Sequence, residues 1–347
     1  MSTKRLRVLL TNDDGPPSTK ESPNIFSFAR ALEKTLGWDV KVVVPSSQKS
    51  WIGKAYQIQD NIAANYYYPT EPEGAGEKTP FRRPLKEGEV GEWILLDGTP
   101  ATCTNISLFN LYPGEIDLVI SGPNFGRNSS SAFSLSSGTI GAALSGSLSR
   151  TRSIALSYGI MNRTFTPESL RLANIASVEI IRRLWEDWGV DTNGWASRKE
   201  EIDLYSVNLP LVEEKLKDPR VFFTRVWRNN YASLFKPLPS AGTKEPVDPT
   251  NPPADEQLVF HFKPDMHPLI NPLASTVPVG TDTWAIDQGY ISVCPLRACF
   301  AAPEEEGMQL GSGIEVGPQQ GLGKEWVIDW AAAASPGDEG GSTKAAL

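Results

Sequence analysis

The chain has 347 residues, of which 40% are hydrophobic and 21% charged, enough for a sizeable core in one large domain or two. Its 41 acidic and 33 basic residues leave a net charge of −8, which argues against a general nucleic-acid-binding or anionic-membrane surface. With only 2 histidines and 3 cysteines, a histidine-rich zinc site and a disulfide framework are both disfavoured. No apolar run approaches the ~18 residues of a membrane span, and the first one is too short for a signal peptide. We therefore expect a cytoplasmic protein without membrane contact.

Short apolar strands alternate with helical segments along the first 210 residues. A strand, a helix and a second strand within the first ~40 residues indicate a βαβ unit with a right-handed crossover. The repetition of this pattern predicts a doubly wound α/β core over residues 1–210. Strands are predicted at 7–11, 39–44, 93–96, 117–121, 153–157 and 204–209, and helices at 24–36, 101–111, 139–148 and 167–188.

The pattern changes in three places. Residues 68–92 are polar and rich in proline, which predicts an insertion in the core. Residues 211–300 predict a β-rich appendage, interrupted by a proline-rich loop at about 237–257. Residues 301–347 predict a loose C-terminal tail.

Polar side chains follow several predicted strands at the point where each strand ends. Asp13 and Asp14 follow the first strand, Ser50 comes after the second, and Asn124 and Asn128 come after the strand at 117–121. Ligands of open α/β sheets bind beyond the carboxyl ends of the strands. Because this set offers only oxygen atoms, it favours Mg²⁺, Mn²⁺ or Ca²⁺ over zinc.

The segment Ser137, Gly138 and Thr139 stands at a predicted helix start, where hydroxyls and free backbone N–H groups bind anions. A cation beside an anion pocket is what hydrolysis of a phosphate ester requires. Alone, the Asp-Asp-Gly and Ser-Gly-Thr segments are more typical of turns and helix caps, and Asn124 of a turn. Their position at consecutive strand ends favours a site.

At this point the motifs resemble those of the survival protein E (SurE) family. They occur in order over residues 7–296. The matching segments are TNDDG at 11–15, VVP at 43–45 with Ser50 five positions later, DGTPATC at 97–103, DLVISGPNFG at 117–126, SGT at 137–139 and QGYISVCPL at 288–296.

The resemblance implies a three-layer Rossmann-like core with a mostly parallel sheet and a C-terminal β-rich hairpin appendage. It further implies a metal-dependent phosphatase acting on nucleoside monophosphates, with Asp13 and Asp14 as catalytic residues. It also implies a homodimer or homotetramer in which the appendage is exchanged between subunits. The implied ligands of a divalent metal ion, Mg²⁺ or Mn²⁺, are Asp13, Asp14, Ser50 and Asn124, and those of the phosphate are Asn128, Ser137, Gly138 and Thr139.

The sequence also departs from the family pattern. Ser46 and Ser47 replace an acidic–basic pair after the second strand, Ser136 replaces a tyrosine, and the segment 124–137 is one residue longer. The proline-rich insertions and the extended tail resemble the eukaryotic, especially fungal, branch, in which some members are described as acid phosphatases. These departures bear on the choice of substrate more than on metal binding.

The working hypothesis is an in-line attack of metal-activated water on the phosphorus atom. An aspartyl-phosphate intermediate through Asp13 remains open at this stage. Two further alternatives also remain: a non-catalytic nucleotide-binding module with a degenerate site, and a nucleotide-sugar glycosyltransferase with a DxD-like metal site. Tight nucleotide binding without turnover would favour the binding module. Hydrolysis or transfer from a nucleotide diphosphate donor would reveal the glycosyltransferase.

Overall fold

The structure, a computed structural model, describes residues 5–160, 165–189, 201–239, 247–251 and 257–300. Contacts within the chain define one unit at Met1–Ala298 and a second at Cys299–Leu347. The predicted tail at 301–347 lies outside the described residues. No helix in the described segments is long and apolar enough to cross a lipid bilayer.

The centre of the first unit is a large twisted sheet. Its strands are β1 (Arg7–Thr11), β2 (Asp39–Pro45), β3 (Ala64–Pro69), β4 (Gly76–Thr79), β5 (Trp93–Leu96), β6 (Leu118–Phe125), β7 (Arg152–Gly159), β8 (Leu204–Pro210), β9 (Val221–Phe223) and, after a separate pair, β12 (Ile291–Leu296). The separate pair is an antiparallel two-stranded sheet of β10 (Phe235–Pro237) and β11 (Phe260–Phe262).

Within the described residues, ten strands join in the order β4-β3-β5-β2-β1-β6-β7-β8-β12-β9. The six strands from β5 to β8 in this order run parallel, whereas β3, β4 and β12 each pair antiparallel with a neighbour. The order reverses direction at β1, which is where such sheets bind their ligands. The predicted mostly parallel α/β fold with a small hairpin sheet is confirmed.

Helices cover both faces of the sheet. They are α1 (Ile25–Ala31), α2 (Pro100–Ile106), α3 (Ser131–Ser136), α4 (Gly138–Leu148), α5 (Pro167–Glu186), α6 (Glu213–Lys217), α7 (His267–Ile270) and α8 (Asp282–Asp287), with a 3₁₀ turn at Ala274–Thr276. α1 and α2 each continue as a π-helical turn, at Leu32–Leu36 and Ser107–Leu111.

The alternation of side chains along β1 separates two apolar layers. Val8 and Leu10 face the cluster that contains α1 and α5, whereas Leu9 faces the cluster that contains Cys103 of α2. All these side chains are buried, as expected for a strand that is covered on both faces. The two layers fix the carboxyl ends of β1 and β6 in the interior of the molecule.

The predicted insertion at 68–92 is only partly a loop. The end of β3 and all of β4 fall in this segment and extend the sheet at one edge. Tyr67 and Tyr68 are buried there, and the Arg83 guanidinium pairs with Glu77 and Glu89. The polar composition of β4 concealed that strand, whose Glu77 forms an ion pair with Arg83.

The segment predicted as an appendage, 211–300, contributes to both sheets. β9 and β12 extend the central sheet beyond β8, while β10 and β11 form the separate hairpin sheet. The short helices α6, α7 and α8 also lie in the described part of this segment. A domain boundary near residue 210 stays a prediction. Of the predicted loop at 237–257, residues 240–246 and 252–256 lie outside the described part.

Candidate active site

A cavity of about 310 Å³ opens beyond the carboxyl ends of β1, β2 and β6. The structure brings all four predicted metal ligands and two predicted phosphate ligands to its wall. These residues are Asp13, Asp14, Ser50, Asn124, Asn128 and Ser137. Gly138 and Thr139, the other two predicted phosphate ligands, lie beside Asp13 and do not line the cavity.

The loop that carries the two aspartates is held by Asn12. Its Nδ2 donates to the Gly15 carbonyl at 2.9 Å and to the Ser22 hydroxyl at 3.1 Å, and its Oδ1 accepts from the Gly15 N–H at 3.0 Å. Gly15 has φ +86°, a conformation that glycine adopts without steric cost. This closed turn directs Asp13 and Asp14 beyond the end of β1.

Asp13 is buried against the start of α4. The Thr139 hydroxyl donates to its Oδ1 at 2.5 Å. Burial raises the pKa of Asp13, while hydrogen bonds from the Thr139 hydroxyl and from nearby backbone groups oppose that rise. A Cβ on Gly138 would lie 2.8 Å from the Asp13 Cβ and 3.0 Å from its Oδ2. Only glycine therefore allows this close approach.

Asp14 has a different support. Its Oδ2 accepts from the Phe125 N–H at 2.8 Å, which ties it to the end of β6. Burial, followed by the negative charge of Asp13, raises the pKa of Asp14 well above its ordinary value. Two adjacent buried carboxylates repel each other unless a cation or a proton compensates them. A positive charge beside the pair would therefore stabilise it.

The remaining donors are neutral oxygens. The Asn124 Nδ2 donates to the Gly126 carbonyl at 2.8 Å, so its Oδ1 is the atom left to act as a ligand. Ser50 is exposed at the rim. No cluster of three or more His, Cys, Asp or Glu side chains occurs within the described residues. Two carboxylates completed by amide and hydroxyl oxygens fit a hard cation such as Mg²⁺ or Mn²⁺.

The side of the cavity predicted to bind phosphate is formed by the start of α4 and by Asn128. The Ser137 hydroxyl caps α4 by accepting from the Ile140 N–H at 3.2 Å. Asn128 is fixed from two sides, because its N–H donates to Asn208 Oδ1 at 2.7 Å and its Nδ2 to Ser157 Oγ at 2.9 Å. The roles of Asn128, Ser137, Gly138 and Thr139 as phosphate ligands stay predictions.

Several cavity residues were missed at the sequence level. Trp51, Phe133, Met266 and Ile270 also line the cavity, together with Arg127. Trp51 directly follows Ser50, and a large aromatic residue beside a candidate ligand is a signal that could have identified it. Met266 and Ile270 carry no such local signal, because only the tertiary fold brings α7 to the cavity.

The Arg127 guanidinium does not add a free positive charge to the cavity. Its Nη1 pairs with Asp287 at 2.8 Å, and its Nη2 donates to the Ile270 carbonyl. This side chain links the loop after β6 to α7 and α8. It shapes the wall rather than offering a second anion ligand.

A comparison with known protein families identifies the family of the chain. The model of the family described as survival protein SurE matches residues 8–233, which include every predicted site residue. The chain belongs to the SurE family. The predicted resemblance is thereby confirmed.

Two curated relatives illustrate the range of this kinship. A protein of Methanococcoides burtonii named 5'-nucleotidase SurE is 28% identical over 86% of this chain and 95% of its own length. A protein of Saccharomyces cerevisiae named Probable tubulin--tyrosine ligase PBY1 is 33% identical over 85% of this chain, but the match spans only 41% of the yeast protein. The prediction of a fungal type of SurE protein fits the yeast relative. At the level of the family, the relatives named 5'-nucleotidase SurE support hydrolysis of phosphoric monoesters.

A solved relative supports the fold. The crystal structure of the SurE protein from Aquifex aeolicus superposes with a TM-score of 0.55 and 22% identity, covering 85% of this chain and 94% of that one. At this identity the similarity shows the fold alone.

Proposed function

We propose that this SurE protein is a metal-dependent phosphomonoesterase that hydrolyses nucleoside 5'- or 3'-monophosphates. The observation that carries the proposal is the pair of buried carboxylates, Asp13 and Asp14, in one cavity with the oxygen donors Ser50 and Asn124 and with the capped start of α4 at Ser137. The nucleotidase names of the relatives support the same reaction class.

Asp13, Asp14, Ser50 and Asn124 would hold the Mg²⁺ or Mn²⁺ ion. When bound, such an ion polarises a phosphoryl oxygen and lowers the pKa of a nearby water. Because Thr139 fixes Asp13 and the Phe125 N–H fixes Asp14, little reorganisation is needed when the substrate binds.

The chain's own residues then position the phosphoryl group for an in-line displacement. Ser137, Asn128 and the N–H groups at the start of α4 stabilise the negative charge of the phosphoryl oxygens. A carboxylate of the Asp13–Asp14 pair orients the attacking water and accepts its proton. The P–O bond to the nucleoside breaks on the opposite side, the leaving oxygen takes up a proton from solvent, and the carboxylate returns its proton to solvent before the next turnover.

The test measures phosphate release from nucleoside 5'- and 3'-monophosphates and from p-nitrophenyl phosphate. The protein is treated with EDTA and then assayed with Mg²⁺ or Mn²⁺ added back, beside Asp14→Asn. We expect restored turnover in the wild type and a loss of about a thousand-fold in Asp14→Asn, since the variant lacks one charge of the metal site. Asp97→Asn is the matched control, because Asp97 is exposed at the end of β5 and does not line the cavity.

A wild-type rate that EDTA leaves unchanged would contradict the metal dependence. Nucleotide binding without turnover under any metal would favour the non-catalytic binding module instead. Transfer of a sugar from a nucleotide diphosphate donor would favour the glycosyltransferase. The match to the yeast relative covers less than half of that protein, so its ligase name gives no support for a ligase activity of this chain.

Two further expectations rest on the family resemblance and belong to this proposal. The protein forms a homodimer or homotetramer through residues 211–300, and it acts in the cytoplasm. Light scattering of the purified full chain tests the first, and a monomer at micromolar concentration would contradict it.

A further inference from the structure

Four aromatic side chains form what we call the aromatic ledge: Trp51 and Phe133, which line the cavity, and Tyr231 and Phe262, which contact Trp51 outside its wall. We propose that the aromatic ledge binds the flat, aromatic part of the substrate, a nucleobase, and so selects nucleotides over other phosphate esters. This inference rests on the proposed function and assigns residues to its substrate preference.

The carboxylates and two rings of the aromatic ledge share one cavity. Trp51 and Phe133 line the same cavity as Asp13 and Asp14. Its volume of about 310 Å³ exceeds what a phosphoryl group alone requires and lies at the lower end of the ~300–1,000 Å³ of small-molecule sites. A ligand whose phosphate lies at the carboxylates therefore extends its leaving group towards these rings.

The ring geometry leaves Trp51 able to stack. Its centroid lies 6.0 Å from that of Phe133, 6.1 Å from Tyr231 and 5.2 Å from Phe262, with interplanar angles of 62°, 45° and 60°. Among the described residues, none of these ring pairs is parallel. Trp51 is partly exposed and lines the cavity, so part of its surface is available for the offset stacked arrangement that aromatic rings favour.

The backbone at Trp51 adds an independent observation. Trp51 has φ +60°, in the left-handed region that residues with a bulky side chain rarely adopt. Such strain persists only where the surrounding structure imposes it, and it is concentrated at functional sites. Here it positions a large ring one residue after the candidate ligand Ser50.

The other side of the ledge is fixed to α3. The Tyr231 hydroxyl donates to the Ala132 carbonyl at 2.7 Å, and the Ala132 N–H donates to Asn229 Oδ1 at 2.9 Å. The Ser131 N–H donates to the Trp227 carbonyl at 2.8 Å. The loop that carries Tyr231 is thus bonded to the helix that carries Phe133, so the ledge is a preformed surface.

The chemistry of the ledge fits a neutral aromatic ring. Aromatic side chains stack on every base, because each base offers a π-face, so the ledge favours nucleobases without strict base identity. The polar side chains Gln48 and Ser136 also line the cavity, whereas Ile160, Met266 and Ile270 are apolar and offer no side-chain hydrogen bond to a sugar hydroxyl. An ester without an aromatic group gains nothing from this surface.

The experiment compares AMP with ribose 5-phosphate, which is AMP without its base. kcat/KM for both is measured on the metal-loaded full chain of the wild type, Trp51→Asn, Trp51→Phe and Phe223→Leu. Asparagine tolerates the left-handed backbone, so Trp51→Asn removes the ring without new strain. Phe223 is an exposed aromatic of β9 outside the cavity and serves as the matched control.

We expect Trp51→Asn to lower kcat/KM for AMP by about ten-fold to a hundred-fold. The same variant should change kcat/KM for ribose 5-phosphate by less than about two-fold. Trp51→Phe should retain most of the preference for AMP, and Phe223→Leu all of it. Equal losses on both substrates, or no loss on AMP, would overturn the inference.

A second measurement separates this inference from the proposed function. Binding of adenosine, which lacks the phosphate, is measured by calorimetry on the same proteins. If the wild type releases no phosphate from any ester, the proposed function fails. Adenosine binding that Trp51→Asn abolishes then still supports the ledge as a base site, whereas unchanged binding overturns it.

Discussion

The carboxylate end of the cavity and the aromatic ledge are built in different ways. Asp13 and Asp14 are buried within three residues of the end of β1, and each is fixed by a hydrogen bond of 2.5 or 2.8 Å. The ledge collects rings from four segments between residues 51 and 262, and Tyr231 and Phe262 remain 40% and 44% exposed.

This difference separates two kinds of effect. A change at the carboxylate end displaces charged groups that have no room to adjust, so it should alter turnover of every substrate. A change at the ledge alters contacts with one part of the ligand, so it should alter the ratio between substrates. Variants at each end of the cavity test this separation.

Gly138→Ala should lower turnover of all phosphate esters by about a hundred-fold. The new Cβ would lie 2.8 Å from the Asp13 Cβ and 3.0 Å from the Ile52 Cγ2, so Asp13 must move. A displacement of about 1 Å in a catalytic group can cost a factor of this size. Overpacking should also lower the free energy of unfolding by about 1–3 kcal/mol.

The matched control for that change is Gly91→Ala. A Cβ at Gly91 meets nothing within 4 Å. Kinetics with AMP and ribose 5-phosphate, together with thermal unfolding, check the prediction. A selective loss on AMP alone would contradict the assignment of Gly138 to the carboxylate end.

Asp282→Asn should act on the ledge from a distance. The Asp282 carboxylate accepts from the Ser130 N–H at 2.8 Å, the Trp227 N–H at 2.9 Å and the Thr283 N–H at 2.7 Å. It thus connects the segment before α3 to the loop that carries Tyr231. An amide replaces one acceptor oxygen with a donor, so at least one of these N–H groups loses its partner.

The expected cost is about 1–3 kcal/mol in the free energy of unfolding. The ratio of kcat/KM for AMP to that for ribose 5-phosphate should also fall, by about three-fold to ten-fold, because the ledge loosens. Asp218→Asn, at an exposed position after α6, is the control. An unchanged ratio in a destabilised variant would show that Asp282 supports the fold but not the ledge.

The grouping of residues at the carboxylate end could be predicted from the sequence for a physical reason. In a parallel sheet, residues that follow adjacent strands meet at one edge, so Asp13, Asp14 and Asn124 can be placed together from strand positions alone. The short motif around Ser137 adds the helix start. Both the residue types and the strand order can be predicted from the sequence. The structure brings these side chains to one cavity.

The ledge and the edge strands could not be predicted in the same way. Phe262 and Tyr231 meet Trp51 through tertiary contacts that no local pattern encodes. β4 was concealed because its residues are polar, and its Glu77 pairs with Arg83 and Lys86. The Asp282 hydrogen bonds span more than 50 residues in sequence and likewise leave no periodic signal.

The smallest expected effect concerns stability without metal. Burial and the charge of Asp13 raise the pKa of Asp14 above its ordinary value of 3.8. A carboxyl whose pKa is raised in the folded state binds its proton more tightly there than in the unfolded chain. Its contribution to the free energy of unfolding is therefore intact below pH 3.8 and is lost as the pH rises through the folded-state pKa.

Asp14→Asn removes the cost of burying the ionised Asp14 carboxylate beside Asp13. In EDTA at pH 7, the variant should unfold at a temperature higher than the wild type by at least about 2 °C, and the difference should vanish near pH 3.5. Adding Mg²⁺ or Mn²⁺ at pH 7 should raise the Tm of the wild type and not that of the variant, since a bound cation compensates the two charges. Thermal unfolding across this pH range measures both effects. If the variant is less stable than the wild type at pH 7 in EDTA, the two carboxylates do not repel each other, and the electrostatic argument for a cation at this end of the cavity is wrong.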